Sequence, residues 1–337
     1  MKIDIIIPAY NASAEELERC LTSIDKQTII NQITVTIIDD CSTEQHYDEI
    51  QDLNNFSPNI LYLEKNSGPG VARQHGINST TGDLIIFIYA DDYLMGENAI
   101  ELLATQFENP EVMETAGVCA CQEGPNLREY STVKYPISTL HGKMYRRSFL
   151  DKYEITFNST SSYMHEDNAF NSLCGMCMHN KGEIIHYIDE FVYCYCSSPN
   201  GLTAKTKGND YIITYMKSMM SVEKHAIDKI GHSGRIDFHV MHTMVQAYYL
   251  FVEQLAKEKQ VFDETFEIFK TYYEEVFRQS AFIVPRETIL EAYKGKSKAV
   301  YDSYELDWIP CISFIDFLFL FLDEDNEIDK AIISKLL

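Results

Sequence analysis

The sequence predicts an α/β protein with an additional all-helical carboxyl-terminal region, and two observations support this class. From Ile3 onward, short runs of β-branched residues alternate with segments whose apolar residues recur at helical spacing, which is typical of strands joined by crossover helices. After Lys207 the strand pattern ends and amphipathic helices follow one another. Because domains average about 150 residues, we expect the 337 residues to form two domains, 1–205 and 206–337.

The amino-terminal strands are short and almost entirely apolar, as expected for strands that helices cover on both faces. We predict strands at Ile3–Pro8, Thr34–Asp39, Ile60–Glu64 and Leu84–Tyr89. The segments between them predict helices at Ala14–Lys26, Glu44–Leu53 and Gly70–Asn78. A largely parallel sheet of this kind binds its ligands at the carboxyl ends of the strands.

The segment from Val118 to Ser198 has a mixed pattern and predicts the second half of the same domain. It contains predicted strands at Val118–Cys121, Glu183–Ile188 and Phe191–Cys196, and predicted helices at Lys143–Lys152 and Glu166–Met178. The Ser-, Gly-, Thr- and Lys-rich segment Ser197–Asn209 is the best candidate for a hinge.

The region after the hinge predicts helices only. They are Tyr211–Ile230, Ile236–Lys257, Phe262–Gln279, Arg286–Lys294 and an apolar piece that ends near Leu322. The longest apolar run, Cys311–Leu322, includes Asp316 and is shorter than the ~20 residues of a membrane-spanning helix. We therefore expect no transmembrane segment, and we expect this region to contact a substrate, to pack or to form a homodimer.

Charge and cysteine content restrict the classes of partner and the compartment. The 28 basic and 51 acidic residues give a net charge of −23, which disfavours nucleic acid as the main ligand. A divalent cation can still bridge carboxylates to a phosphate, so an anionic ligand stays possible. Met1 leads directly into the first strand without an export signal, and nine cysteines are scattered along the chain. These features predict reduced thiols and a cytoplasmic protein.

Two carboxylates follow the second strand, in Ile37-Ile38-Asp39-Asp40-Cys41-Ser42. At the end of a parallel strand their oxygens can accept hydrogen bonds from a base or a ribose. The alternative is that Asp40 or Ser42 caps the helix predicted from Glu44. The local pattern alone leaves both interpretations open.

A glycine-containing segment, Asn66-Ser67-Gly68-Pro69-Gly70-Val71-Ala72-Arg73, follows the third strand. Its glycines allow the backbone to approach a ligand closely, and Arg73 lies one helical turn further on, where it can reach a phosphate. The segment lacks the Gly-Lys-Ser/Thr of a P-loop and the third glycine of a dinucleotide fingerprint. Dinucleotide binding is therefore disfavoured.

The fourth strand ends in Tyr89-Ala90-Asp91-Asp92. Adjacent carboxylates repel each other unless a cation or solvent compensates them, and Mg²⁺ or Mn²⁺ bound by one or two carboxylates and ligand phosphates is one solution. The alternative is a solvated turn.

In the order and position of these motifs the sequence resembles the family 2 inverting glycosyltransferases, which have the GT-A fold, a Rossmann-like mixed sheet flanked by helices. The shared elements are Ile5–Asn11, Ile37–Ser42, Asn66 and Gly68 with Ala72-Arg73, Gly76, Thr81–Asp83, Asp91-Asp92, Lys143–Arg147 and Glu166-Asp167. The helical carboxyl-terminal region matches no pattern of that family.

The resemblance implies a donor site and a metal site. The implied donor-binding residues are Pro8, Tyr10, Asp39, Asp40, Asn66, Gly68, Arg73 and Asp91. Among them, Pro8 and Tyr10 would line the base pocket and Asp39 would bind the base, most often uracil. Asp91 and Asp92 would take the place of the family's Asp-x-Asp motif and hold Mn²⁺ or Mg²⁺.

The resemblance also implies the chemistry, which is transfer of a sugar from a UDP-linked donor to a glycan, lipid-linked or protein acceptor with inversion. Asp167 would be the general base that deprotonates the acceptor hydroxyl, with Glu166 supporting or orienting it. Judged by spacing alone, the Glu166-Asp167 pair would instead be acidic residues at a helix start.

Two positions depart from the family pattern. Tyr89 stands where the family often has the first Asp of Asp-x-Asp, and Cys196 lies in a segment where relatives often carry a metal-binding His. The third metal ligand is therefore unassigned. The Tyr89 departure also leaves a second hypothesis open, a catalytically silent nucleotide-sugar-binding or scaffold protein of the same fold.

Overall fold

A computed structural model describes residues 1–50, 55–130, 139–157, 165–178, 182–197, 209–258, 263–280, 285 and 287–288. The chain divides into two compact units. One comprises Met1–Cys174 and Asn180–Lys205, and the other comprises Gly175–His179 and Thr206–Leu337.

The first unit is built on a single mixed β-sheet. Its described strands are β1 (Ile3–Ala9), β2 (Ile33–Asp39), β3 (Asn59–Tyr62), β4 (Leu84–Phe87), β5 (Tyr93–Leu94), β6 (Val112–Glu123), β7 (Asn126–Glu129), β8 (Lys143–Arg146) and β9 (Ile184–Cys196). The order across the sheet is β3-β2-β1-β4-β8-β6-β9-β5, with β7 paired to β6. The first four of these strands are mutually parallel, whereas β8 runs antiparallel to both β4 and β6. The predicted α/β class with a mixed sheet is confirmed.

Helices cover this sheet because their apolar residues fall on one face. The described helices of the unit are α1 (Ala14–Asp25), α2 (Pro69–Ser79), α3 (Ala99–Thr105), α4 (Arg147–Lys152) and α5, which starts in this unit and spans Glu166–Cys177. Helix α1 begins with a capping box in which Ser13 and Glu16 satisfy each other's backbone N–H groups. Its buried residues Leu17, Leu21 and Ile24 belong to the same core as Ile3, Ile5 and Ile7 of β1. Burying these side chains fixes α1 on the sheet.

Two glycines permit close approach of backbone segments near β1. A Cβ on Gly76 of α2 would overlap the Ile6 side chain, so only glycine allows this helix to lie so close to β1. The N–H of Gly82 donates to Asp4 Oδ2 (2.5 Å), which also pairs with Arg147 Nη2 (2.9 Å). Gly76, Gly82 and Arg147, which belong to the family pattern, thus pack or hydrogen-bond around β1.

Three local predictions differ from the structure. The segment Lys143–Lys152 is not one helix, because Lys143–Arg146 pairs with β4 and β6 as a strand and only Arg147–Lys152 is helical. The strands predicted at Glu183–Ile188 and Phe191–Cys196 are one continuous strand, β9, which pairs along β6 with register shifts. In the segment Glu44–Leu53, the described residues contain only a 3₁₀ turn at Tyr47–Glu49.

The described part of the second unit is helical. Its helices are α6 (Asn209–Ile230), α7 (Gly234–Glu258) and α8 (Asp263–Tyr272), and a π-helical turn follows at Tyr273–Phe277. The fully buried Glu223 carboxylate accepts hydrogen bonds from Thr243 Oγ1 (2.7 Å) and the Tyr272 hydroxyl, and lies 2.7 Å from His239 Nδ1. None of the helices in the described ranges has the length and apolar character needed to cross a bilayer. The predicted hinge within Ser197–Asn209 and the apolar run Cys311–Leu322 lie outside the described residues, apart from the ends of the hinge segment.

Candidate functional site

The carboxylate of Asp39, at the carboxyl end of β2, is fully buried and held from two sides. Its Oδ1 accepts a hydrogen bond from the Ser42 N–H (2.8 Å), and its Oδ2 accepts one from the Tyr47 hydroxyl (2.5 Å). Burial, and secondarily the bond to Asp39, raise the pKa of Tyr47, so this hydroxyl remains a donor at neutral pH. Asp39 lies at the strand end where the sequence predicted a base-binding carboxylate.

Asp40 has a different role from Asp39, although the two are neighbours in the chain. Its Oδ1 and Oδ2 accept the backbone N–H groups of Ser67 and Gly68, each at 2.7 Å. Burial raises the pKa of Asp40, although these two N–H donors oppose the shift. Asp40 therefore braces the loop that carries Asn66 and Gly68 against the end of β2.

The residues at the carboxyl end of β1 lie next to the turn that follows β2. Pro8 is half-buried, and Tyr10 is 49% exposed. Asn11 has a left-handed backbone (φ 50°), and its Oδ1 accepts the N–H groups of Thr43 (2.8 Å) and Glu44 (3.2 Å). Asn11 thus organises the turn after β2. Sequence reasoning quoted it only as the last residue of a motif and assigned it no role.

Arg73 of α2 is wholly buried and forms an ion pair with Glu166, with Nη1 2.8 Å from Oε1. The guanidinium also lies over the ring of Tyr89, 4.5 Å from its centroid. A Cβ on Gly70 would lie 3.0 Å from the Cβ of Glu166, so glycine here lets the starts of α2 and α5 approach each other. Burial raises the pKa of Glu166, and Arg73 opposes the shift. Nε and Nη2 of Arg73 have no hydrogen-bond partner among the described residues.

Asp167 lies in the first turn of α5 and is half-buried. Its Oδ1 accepts the N–H of Asn168 (2.7 Å), and its Oδ2 accepts the hydroxyl of Tyr89 at 3.4 Å. The backbone of this turn is braced by Asn171, whose Nδ2 donates to the Asp167 carbonyl (3.1 Å).

The brace on α5 extends into β8. Asn171 Oδ1 accepts hydrogen bonds from Lys143 Nζ (3.1 Å) and the Tyr145 hydroxyl (2.6 Å), and all three side chains are buried. Lys143 also pairs with Glu114 at 3.3 Å. Sequence reasoning noted Lys143 and Tyr145 only as part of a motif and missed Asn171, whose i+4 spacing from Asp167 was the available signal.

The two carboxylates after β4 have unequal surroundings. Asp92 is fully buried, and its oxygens accept hydrogen bonds from the Tyr193 hydroxyl (2.7 Å) and the Cys196 N–H (2.8 Å). Asp91 is partly exposed, and its backbone carbonyl accepts a hydrogen bond from Arg19. Burial raises the pKa of both carboxyl groups.

No group of three or more His, Cys, Asp and Glu side chains within the described ranges is arranged to hold a metal ion. A divalent ion that takes part of its coordination shell from phosphates and water needs only one or two protein carboxylates. Of the predicted pair, Asp91 fits that role better, since Asp91 is partly exposed and Asp92 is fully buried. The metal assignment stays a prediction.

An aromatic cluster lies behind these carboxylates. His141 stacks on Tyr195 (5.2 Å, 29°) and lies 4.8 Å from the ring centroid of Tyr89 and 5.2 Å from that of Tyr193. Burial lowers the pKa of His141 to about 3, with Arg73 contributing next. His141 is therefore neutral near pH 7.

Hydrogen bonds and an ion pair connect several of the predicted site residues near the strand ends into one series. In the part of the chain that the structure describes, these bonds do not reach Pro8, Tyr10, Asp39 or Asp91. Asp40 holds the loop before α2, Arg73 of α2 pairs with Glu166 of α5, and Asp167 meets Tyr89 beyond β4. The series brings together the glycine loop, the arginine and the acidic pair of α5. The binding and catalytic roles of these residues stay predictions.

The family model described as glycosyl transferase family 2 matches residues 4–173 of the chain, which is half its length. The chain belongs to glycosyltransferase family 2. The match covers β1 through most of α5 and includes every residue of the site described above except Tyr193, Tyr195 and Cys196.

Individual relatives are similar over shorter stretches. The poly(ribitol-phosphate) beta-glucosyltransferase of Bacillus spizizenii is 33% identical over 101 residues, which are 29% of this chain and 16% of the relative. The poly(ribitol-phosphate) beta-N-acetylglucosaminyltransferase TarS of Staphylococcus aureus is 33% identical over 100 residues, or 29% of this chain and 17% of the relative. These matches thus span less than a fifth of each relative.

Solved structures show the same fold. The structure of S. aureus TarS 1-349 in complex with UDP-GlcNAc superposes with a TM-score of 0.66 at 18% identity, covering 83% of this chain and 82% of that chain. The mannosyltransferase PcManGT from Pyrobaculum calidifontis, in complex with GDP-Man and Mn²⁺, superposes with a TM-score of 0.52 at 14% identity over 97% and 88% of the two chains. At these identities the likeness supports the fold alone.

Proposed function

We propose that this protein transfers a sugar from a UDP-linked donor to the hydroxyl of an acceptor with inversion at the anomeric carbon. The observation that carries the proposal is the placement of Asp167 at the start of α5, beside the Arg73–Glu166 ion pair and the end of β4. Family membership and the UDP-GlcNAc complex of the TarS structure support a nucleotide-sugar donor.

The proposed reaction needs a base on one side of the sugar and positive charge on the other. A carboxylate oxygen of Asp167 accepts the proton of the acceptor hydroxyl, whose oxygen forms a bond to the anomeric carbon. The bond from that carbon to the nucleoside diphosphate breaks, and its electron pair leaves with the diphosphate. Glu166 keeps Arg73 oriented. Arg73 is wholly buried, and its Nε and Nη2 have no partner in the described ranges, so we assign it a contribution of positive charge to the site from the interior.

The same proposal assigns the donor pocket to the ends of β1 and β2. Pro8 and Tyr10 line the pocket of the base, and the buried Asp39 carboxylate recognises it. Asp40 acts indirectly, because its two hydrogen bonds shape the loop of Asn66 and Gly68. This assignment separates the neighbouring carboxylates into one that binds the base through the lone pairs left by its Ser42 and Tyr47 donors and one that holds the loop.

We assign Mn²⁺ or Mg²⁺ to Asp91, with the donor phosphates and water completing the coordination. When bound, the ion neutralises charge on the departing diphosphate. Asp92 is left out of this shell, because its carboxylate is fully buried whereas Asp91 is partly exposed. The Mn²⁺ in the PcManGT complex supports a metal-dependent reaction in this fold.

The acceptor is proposed by chemical class only. The relatives named as poly(ribitol-phosphate) transferases favour a hydroxyl-bearing polymer as the first acceptor to test, ahead of lipid-linked and protein acceptors. The net charge of −23 disfavours nucleic acid. The acceptor-binding or dimerisation role of residues 206–337 and the cytoplasmic location stay predictions.

The experiment measures UDP release from a panel of UDP-sugars with Mn²⁺ and polyol-phosphate acceptors, with the anomeric configuration of the product read by NMR. We expect Asp167→Asn to lower kcat by at least roughly a hundredfold, the usual contribution of general base catalysis. Asp189→Asn, which removes an exposed carboxylate of β9, is the matched control and should retain activity. Retention of configuration, or full activity in Asp167→Asn, would refute the proposed mechanism.

A second candidate function is a catalytically silent nucleotide-sugar-binding or scaffold protein, which is suggested by Tyr89 at the position where the family often has the first Asp of Asp-x-Asp. That candidate predicts that UDP-sugars raise the melting temperature while no acceptor in the panel yields free UDP. Stabilisation together with UDP release excludes it.

A further inference from the structure

The side chain of Tyr89 lies between three groups of the candidate site. Its ring has the guanidinium of Arg73 4.5 Å from the centroid and the imidazole of His141 at a centroid distance of 4.8 Å. Its hydroxyl donates to Oδ2 of Asp167 at 3.4 Å. Tyr89 therefore connects the arginine and the proposed base, although no motif assigned it a role.

The backbone of Tyr89 is fixed as firmly as its ring. Its N–H donates to the Tyr193 hydroxyl (3.1 Å), and that hydroxyl in turn donates to the buried carboxylate of Asp92 (2.7 Å). The Sγ of Cys20 lies 3.7 Å from the Tyr89 carbonyl. Because neighbours on both β9 and α1 hold this residue, the position of its hydroxyl is set before any ligand binds.

The charges around the ring are also consistent with this arrangement. His141 is buried and neutral near pH 7, so Arg73 is the cation that the ring faces. The hydroxyl of a tyrosine is protonated at neutral pH and can donate a hydrogen bond. The Tyr89 hydroxyl is thus a hydrogen-bond donor that faces the carboxylate of Asp167.

We propose that Tyr89 is the positioning residue of the base Asp167, because its hydroxyl fixes Oδ2 while the N–H of Asn168 fixes Oδ1. This inference rests on the proposed function. Two donors at opposite oxygens hold the plane of the carboxylate, and each oxygen keeps a lone pair that can accept the proton of the acceptor hydroxyl. The residue that departs from Asp-x-Asp then contributes to the transfer, and its presence does not indicate a silent protein.

The test is a double-mutant cycle with Tyr89→Phe and Asp167→Asn, assayed by release of UDP from the active UDP-sugar and acceptor pair. Tyr89→Phe keeps the ring face for Arg73 and removes only the hydroxyl. We expect kcat to fall roughly tenfold, while the KM for the donor changes less than about twofold because Tyr89 acts on the base. In the Asp167→Asn background the same substitution should have no further effect.

The control is Tyr187→Phe, which removes an exposed hydroxyl near the start of β9 and should leave kcat unchanged. Melting temperatures of all variants are measured alongside. An unchanged kcat in Tyr89→Phe, or an equal loss in both backgrounds, would overturn the inference, since a merely structural role predicts additive losses. An inactive wild-type protein across the whole panel would instead overturn the proposed function, and this inference with it.

Discussion

The buried ion pair between Arg73 and Glu166 makes an asymmetric prediction about stability. The Arg73 side chain is 0% exposed and that of Glu166 7%, and their charged atoms are 2.8 Å apart. Removing one partner of such a pair leaves a buried charge without compensation, which costs about 3–5 kcal/mol. We expect the larger loss in Glu166→Met, because the guanidinium left behind cannot lose its proton.

Replacing Arg73 should destabilise the protein less than replacing Glu166. In Arg73→Met the remaining carboxyl can bind a proton and become neutral, and burial already raises the pKa of Glu166. The double variant removes both charges and places two apolar side chains against Phe157 and Tyr89, which lie next to Arg73 in the native protein. Replacing a buried pair in this way is often neutral or stabilising. We therefore expect the double variant to be more stable than Glu166→Met.

Differential scanning calorimetry of the full chain measures these effects. For a unit of this size, each kcal/mol lowers the melting temperature by roughly 2–4 °C, so Glu166→Met should melt roughly 6–20 °C lower. The matched control is the exposed pair Lys224–Glu275, which has the same 2.8 Å separation with side chains 49% and 47% exposed. Breaking it should cost less than about 1 kcal/mol. Equal losses at the two pairs, or a double variant as unstable as Glu166→Met, would refute the reasoning.

Three further predictions concern packing, pH and the metal. Gly76→Ala should lower the free energy of unfolding by about 1–3 kcal/mol in urea titrations, since the added methyl overlaps Ile6, and an unchanged midpoint would contradict the packing. The pKa of buried His141 is about 3, so below the ordinary value of 6.5 the unfolded chain binds a proton that the folded protein does not. The free energy of unfolding that depends on His141 is therefore fully present above pH 6.5 and decreases as the pH falls toward 3, by up to about 1.4 kcal/mol per pH unit. In His141→Gln the free energy of unfolding should decline less steeply over the same pH range. Finally, Asp91→Asn should raise the Mn²⁺ concentration needed for half-maximal UDP release and change the melting temperature little. Asp92→Asn should instead lower the free energy of unfolding by about 1–3 kcal/mol. The reverse pattern would mean that Asp92 is the metal ligand.

Much of the first unit could be predicted from the chain itself. The apolar runs that became β1, β2 and β4 are bounded by turn residues, and the apolar spacing in α1 matches its buried face. Such signals are local, because burial on both faces requires apolar residues at nearly every position of a strand. The order of the acidic and glycine motifs also predicts that they lie together at the carboxyl ends of the parallel strands.

The roles within each acidic pair could not be predicted in this way. Asp39 and Asp40 are adjacent, yet one accepts the Tyr47 hydroxyl and the other holds the backbone of Ser67 and Gly68. Adjacent residues at a strand end point to opposite sides, and which side faces a ligand depends on the loop that packs there. The segment Lys143–Arg146 was likewise predicted as helix, and its pairing with two distant strands made it β8.

The sequence by itself determined the fold class, the strands that carry the motifs and the family to which the chain belongs. Only the tertiary structure decided that Asp92 is enclosed by Tyr193 and Cys196 while Asp91 remains partly exposed, and that Tyr89 joins Arg73 to Asp167. The physical reason is the separation along the chain between the residues that interact. Strand and helix patterns arise from neighbours along the chain, whereas burial and hydrogen bonding of a carboxylate depend on groups that folding brings from about a hundred residues away.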